Sequence, residues 1–263
     1  MPDILTPADL PPALRSLVGP VQRIDYPPQG DTSLVASLEG ANGAAVLKRA
    51  HRVPFDAWLR REHAVLHALE ATPLAVPRPL ALAEHGGAVW LLMTRLPGEP
   101  LRAVLRREQR PAKRRVLLRG FGAAVAALHR CPAPPGLTPP APEGWLASAL
   151  RQAGEALERH PVDGTPELLD RLRASIPAPV PQTLIHGDCT LDNVLVEGGR
   201  ISGLIDWAGG AVGDPRYDLA LATQPKPEAF GNPDDQDAFY SGYNGPRLEA
   251  NEADFFLGLY EFF

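Results

Sequence analysis

The stretch LIHGDCTLDNVLVEGGRISGLIDW, residues 184–207, sets His186, Asp188, Asn193 and Asp206 among three apolar runs. A carboxylate at the end of a strand, on a loop fixed by rigid elements, is a common way to hold a catalytic acid or base, and Asp188 closes the strand-like run TLI in this way. Carboxylate and amide oxygens are also the donors that Mg²⁺ prefers, because it binds one or two carboxylates and completes its shell with phosphate oxygens and water. Asn193 and Asp206 supply two such oxygens. The Gly198-Gly199 pair between VLVE and RISGLID predicts a two-residue hairpin with Glu197 facing Arg200, hence Asn193 facing Leu204. Asp206 would then share the face of Asn193 on the diagonal, about 7–8 Å away. Each residue alone reads equally well as structural: Asn193 as a loop end, Asp206 as a turn cap and HGD as a surface turn.

A lysine and a glutamate earlier in the chain raise a second question. The chain has three lysines, and Lys48 ends the run AAVLK with the strand parity of Val46, so its stem should lie along apolar surface. A buried ammonium needs a partner. In the helical pattern VPFDAWLRREHAVLHALEA, Glu62 interrupts a stripe of Phe55, Leu59, Val65, Leu66 and Leu69, where an unpaired carboxylate would be costly. Each of these charges alone could equally be a surface group.

These groups need elements to position them. VQRIDY, SLVASLEG, AAVLKR and AVWLLMTRL read as strands separated by GDTS and EGANGA turns, so residues 1–96 are expected to form a small antiparallel sheet with one helix. Residues 97–263, joined through a connection at about 93–98, read as mostly helical. The patterns are PAKRRVLLRGFGAAVAALHR, GWLASALRQAGEALERH, TPELLDRLRASI, YDLALAT and ADFFLGLYEFF. CPAPPGLTPPAPEG is a helix-breaking connection. The expected class is α+β with two lobes.

Taken together, HGD at 186–188, Asn193 and Asp206 resemble the core of the aminoglycoside phosphotransferases, which have a protein-kinase-like fold. The resemblance spans nearly the whole chain and implies ATP and Mg²⁺ as cofactors. It assigns Asp188 to the substrate hydroxyl and Asn193 and Asp206 to the metal, with His186, Asp214 and Asp218 in support, bracing the loop or capping the helix that opens at Pro215. Lys48 and Glu62 resemble the kinase ion pair that positions the phosphates. PPQGDTSLV is similar to the loop over the phosphates, with Thr32 and Ser33 offering hydroxyls, and LLMTRLPGEPL to the hinge, where backbone groups of Thr94 and Leu96 would meet adenine. The C-terminal LGLYEFF resembles the last helix of the 3′-type enzymes, implying that Glu261 and the Phe263 carboxylate hold a cationic sugar. Tyr260 stands where an acid is usual there, and Gln224-Pro225 replaces an Arg-Asp pair.

Composition limits the alternatives. The formal net charge of −5 disfavours a nucleic-acid partner, since neutralising phosphates needs a basic face. It suits a small cationic or neutral partner, which the resemblance makes a hydroxyl-bearing substrate. The start of the chain lacks the basic and apolar pattern of a signal peptide, no apolar run approaches the roughly 20 residues that span a bilayer, and Cys131 and Cys189 match no metal spacing. The expectation is a cytoplasmic monomer or weak dimer with reduced thiols and no membrane partner. A kinase of choline, homoserine or a sugar, a nucleotide-binding pseudokinase, and a metal hydrolase using His186 and Asp188 are the competing readings. The pseudokinase should lack a catalytic group, and none is missing. The hydrolase needs further ligands at metal spacing, which the sequence does not show.

Overall fold

The structure is a computed structural model that describes residues 5–27, 32–51, 53–137, 144–159 and 161–263. Its contacts divide the chain into two units, residues 1–97 with 206–208, and residues 98–205 with 209–263.

The first unit is built on one antiparallel sheet. Strands β1 (Val21–Asp25), β2 (Leu34–Gly40), β3 (Gly43–Ala50), β4 (Pro79–His85) and β5 (Ala88–Thr94) lie in the order β1-β2-β3-β5-β4. Alternation along β3 and β5 gives the sheet two different faces. Ala45, Leu47, Ala88, Trp90 and Leu92 join Leu10, Leu14 and Val18 of helix α1 (Pro12–Val18) and its lead-in on one side. Ala50 and Val89 meet Leu59 of helix α2 (Phe55–Leu69) on the other. Lys48 has the parity of Ala50 and therefore belongs to the α2 side. The sequence reading does not foresee β4. Its run carries Pro79 and is only partly buried, which suits the edge position it takes.

The second unit is mostly helical. It comprises α3 (Leu101–Arg107), α4 (Pro111–Arg130), α5 (Trp145–Arg159), α6 (Pro166–Ala174), α7 (Pro215–Thr223), α8 (Pro233–Tyr243) and α9 (Ala250–Tyr260). Two small sheets accompany them: β6 (Glu99–Pro100), β8 (Val194–Glu197) and β9 (Arg200–Leu204) in the order β6-β8-β9, and β7 (Thr183–Ile185) paired with β10 (Ala211–Gly213). Phe256, Leu259 and Phe262 at the end of the chain, Ala153 of α5, Leu172 of α6 and Tyr217 of α7 share one core with Ile185, the residue before HGD. Helices α4 and α8 approach through glycines. A methyl group on Gly122 would meet the Phe239 carbonyl at 2.0 Å, and one on Gly242 the Arg119 carbonyl at 1.9 Å.

Candidate active site

In the first unit the lysine of β3 and the glutamate of α2 meet. Lys48 Nζ lies 2.8 Å from both carboxylate oxygens of Glu62. Glu62 is 1% exposed, so leaving either partner alone there would strand a charge away from water. Asp206 Oδ1 approaches the same ammonium at 3.2 Å, and the Trp207 N–H donates to Glu62 Oε1 at 3.3 Å. Burial works against the charge on Lys48, yet the two carboxylates outweigh it and hold its pKa above the ordinary lysine value. The result is one ammonium fixed among carboxylates, a point charge suited to phosphate oxygens.

The hairpin differs from its expected register. Glu197 pairs with Arg200 as expected and Val196 with Ile201, but Leu195 pairs with Gly203 and Val194, not Asn193, with Leu204. Ser202 is the extra residue of a bulge, which shifts everything beyond it by one place and defeats simple counting back from the turn. Asn193 instead lies just before β8, its carbonyl accepting the Ile205 N–H at 2.9 Å. Asp206 is past the end of β9, with φ +68°, a left-handed conformation that Asp tolerates better than most residues. The expected facing of Asn193 and Leu204 is therefore off by one residue, and Asp206 lies outside the strand.

In the second unit the HGD turn is held from several directions. His186 is fully buried; its backbone N–H donates to Asp218 Oδ2 at 2.7 Å, and the Gly187 N–H donates to Asp218 Oδ1 at 2.9 Å. The His186 ring accepts the Asp188 N–H at Nδ1 (3.2 Å), which assigns the ring proton to Nε2, and Nε2 donates to the Ile205 carbonyl at 3.0 Å. Both ring nitrogens are thus engaged with backbone. That argues against His186 as a metal ligand and against the hydrolase reading. Burial would raise the pKa of Asp218, but the His129 side chain at 3.2 Å and the His186 backbone N–H hold it below the ordinary carboxylate range. Asp214 caps α7 by accepting the Arg216 N–H at 2.9 Å, and the Arg216 guanidinium grips its carboxylate at 2.7 and 3.0 Å.

Asp188 itself is half-buried, and its carboxylate is gripped from two sides. Asn193 Nδ2 donates to Asp188 Oδ2 at 2.7 Å and to the Asp188 carbonyl at 2.9 Å, which turns Asn193 Oδ1 the other way. The Tyr260 hydroxyl donates to Asp188 Oδ1 at 2.8 Å. Tyr260 is the residue that sequence reasoning undervalued: it registers there as a missing acid, whereas its phenol reaches the candidate base from 72 residues away. Glu261 and Phe263, expected at the substrate, are exposed.

The remaining candidates stand apart. Thr32 is exposed and Ser33 half-buried, while residues 28–31 of the loop PPQGDTSLV lie outside the described residues. The Thr94 N–H is spent on the Arg78 carbonyl at 2.9 Å; Leu96 is half-buried beyond the end of β5. No group of three or more His, Cys, Asp or Glu that could hold a metal occurs among the described residues. The side chains that the sequence resemblance assigns to a metal offer only oxygens, an amide oxygen of Asn193 in the second unit and the Asp206 carboxylate in the first. That chemistry fits Mg²⁺ completed by phosphates and water and does not fit zinc.

A model of the phosphotransferase enzyme family (APH) matches residues 27–250. The chain belongs to this family. An aminoglycoside 3′-phosphotransferase from Niallia circulans is 29% identical over 201 residues, covering 72% of this chain and 73% of the relative. A homoserine kinase from Neisseria meningitidis serogroup B is 31% identical over 141 residues, covering 51% of this chain and 46% of the relative. Among solved structures, a thermostable mutant of aminoglycoside phosphotransferase APH(4)-Ia in a ternary complex with ADP and hygromycin B superposes with a TM-score of 0.57 at 20% identity, over 80% of this chain and 74% of that one. The fold of this phosphotransferase is accordingly α+β and protein-kinase-like, and its reaction class is phosphate transfer to a small-molecule hydroxyl. No helix among the described residues is long and apolar enough to cross a membrane.

Proposed function

We propose that this phosphotransferase moves the γ-phosphate of ATP to a hydroxyl of a small amine-bearing molecule, with Asp188 receiving the hydroxyl proton. The observation that carries the reading is the carboxylate of Asp188, held on Oδ2 by Asn193 and approached on Oδ1 by a hydroxyl at 2.8 Å, within the reach at which a general base takes a proton. Lys48, kept charged by Glu62 and Asp206, binds phosphate oxygens. Asn193 Oδ1 and the Asp206 carboxylate would each offer an oxygen to Mg²⁺, which would supply positive charge against the transferred group. Backbone groups of Thr94 and Leu96 meet adenine, with the Thr94 N–H excluded because Arg78 already takes it, and Thr32 and Ser33 contact phosphates. His186, Asp214 and Asp218 hold the loop and touch no substrate.

For the acceptor, an aminoglycoside is the first reading, supported by the relative that aligns with 72% of the chain; Glu261 and Phe263 are its assigned contacts. A homoserine-sized acceptor is the second, and a specific observation favours it. Several of the acids that could bind a polycation are already committed: Asp235 to the Arg114 guanidinium, the Phe230 N–H and Asn232 Nδ2, Asp237 to Arg247, and Glu252 to Arg216.

ADP release from Mg·ATP with aminoglycosides, L-homoserine, choline and sugars tests the whole reading. One acceptor class should be turned over, and Asp188→Asn should lower that kcat about a hundredfold or more without weakening ATP binding. A parent inactive across the panel, or near-parental turnover in the variant, overturns it.

A further inference from the structure

Tyr260 is the last residue of α9, and its backbone is firmly held. Leu259 and Phe262 on either side are fully buried, and the carbonyl of Glu261 accepts the Gly164 N–H at 2.8 Å. The phenol is half-buried, with the Tyr217 ring tilted beside it at 6.3 Å, and its O–H reaches Asp188 Oδ1 at 2.8 Å. A hydroxyl at that distance from a general base has the position required of an acceptor. An anchored helix end therefore presents a side-chain hydroxyl where a substrate hydroxyl must come.

Resting on the reading of Asp188 as proton acceptor, we propose that Tyr260 is a specificity-determining residue: its hydroxyl holds the acceptor's place on Asp188 and keeps water from being phosphorylated instead. Water is the competing acceptor in any phosphotransferase of this kind. In the unwanted reaction the water oxygen bonds to the γ-phosphorus, the bond from that phosphorus to the bridging oxygen breaks, the proton passes to Asp188, and ADP and phosphate leave. A phenol already hydrogen-bonded to Oδ1 denies water that place. A true acceptor, bound through its other groups, displaces the phenol by rotation of one side chain, because the backbone around it is fixed.

The test needs no knowledge of the acceptor. ADP release from Mg·ATP alone is measured for the parent, Tyr260→Phe, Asp188→Asn and the double variant, with Tyr260→Leu as a second substitution and melting temperatures confirming folding. Loss of one hydrogen bond of ordinary strength should raise acceptor-free hydrolysis about fivefold in Tyr260→Phe, and Asp188→Asn should abolish the gain. Hydrolysis unchanged or lowered in both folded Tyr260 variants overturns the proposal, as does phosphate found on Tyr260 of the parent, which would make the phenol an acceptor in its own right. Hydrolysis that rises in Tyr260→Phe and stays as high in the Tyr260→Phe/Asp188→Asn double variant rejects the underlying role of Asp188 itself.

Discussion

The carboxylate of Asp218 spans two successive backbone N–H groups, those of His186 at 2.7 Å and Gly187 at 2.9 Å, and so fixes the turn that carries Asp188. Because the pKa of Asp218 is depressed, its contribution to stability is present above the ordinary carboxylate value of about 4 and is lost as pH falls through the lower folded value. Asp218→Asn places an amide where two donors converge and should cost about 2–4 kcal/mol at neutral pH. Below about pH 4 the parent should lose stability more steeply than the variant. Urea midpoints for both proteins from pH 3 to 7 provide the check; parallel curves would remove Asp218 from this role.

The buried pair in the first unit makes a different prediction. Lys48→Met and Glu62→Gln should each destabilise by about 3 kcal/mol, since each strands a buried charge or leaves its partner underpaired, and the double variant should lose far less than their sum. The contribution of the Lys48 charge should persist through neutral pH and fade only above the ordinary lysine value of about 10.4, because the pKa of Lys48 is raised. A double-mutant cycle measured by denaturant unfolding decides it; additive costs would mean the contact contributes nothing.

Asp206→Ala should remove the Mg²⁺-dependent part of ATP affinity, as the loss of one of two protein ligands would require. Calorimetry with and without Mg²⁺ reads this directly. If the variant and parent bind ATP equally in Mg²⁺, Asp206 serves only to hold Lys48.

Much of this was legible because local patterns coincide with the packing. The α2 stripe exposes Glu62 as an anomaly among apolar residues, and strand parity alone assigns Lys48 to the side of the sheet where it finds that partner. Counting failed where it must. The Ser202 bulge is a single inserted residue with no composition signal, so the predicted facing of Asn193 and Leu204 slipped by one. The short helices α1 and α8 went unforeseen because each is brief and opens on a proline, and the contact of Tyr260 with Asp188 is a tertiary event that no local pattern encodes.

Substitution of Gly187 tests the role proposed for Asp188 apart from the roles proposed for Lys48, Glu62 and Asp206. Gly187 has φ +80°, a conformation that a side chain resists, and a methyl group there would meet the Gly209 carbonyl oxygen at 2.3 Å, a backbone atom that cannot swing aside. Gly187→Ala must therefore shift the turn that holds Asp188, whereas Lys48, Glu62 and Asp206 belong to the other unit and keep their contacts. The expected outcome is a fall in kcat of at least about a hundredfold, as for a misplaced general base, together with a lower melting temperature and an ATP dissociation constant within about threefold of the parent. Steady-state kinetics on the acceptor found active, paired with nucleotide titration, make the comparison. Equal losses in kcat and in ATP affinity would show that the turn supports both functions at once; unchanged kcat would mean that the backbone there yields freely and that Asp188 needs no such fixed position.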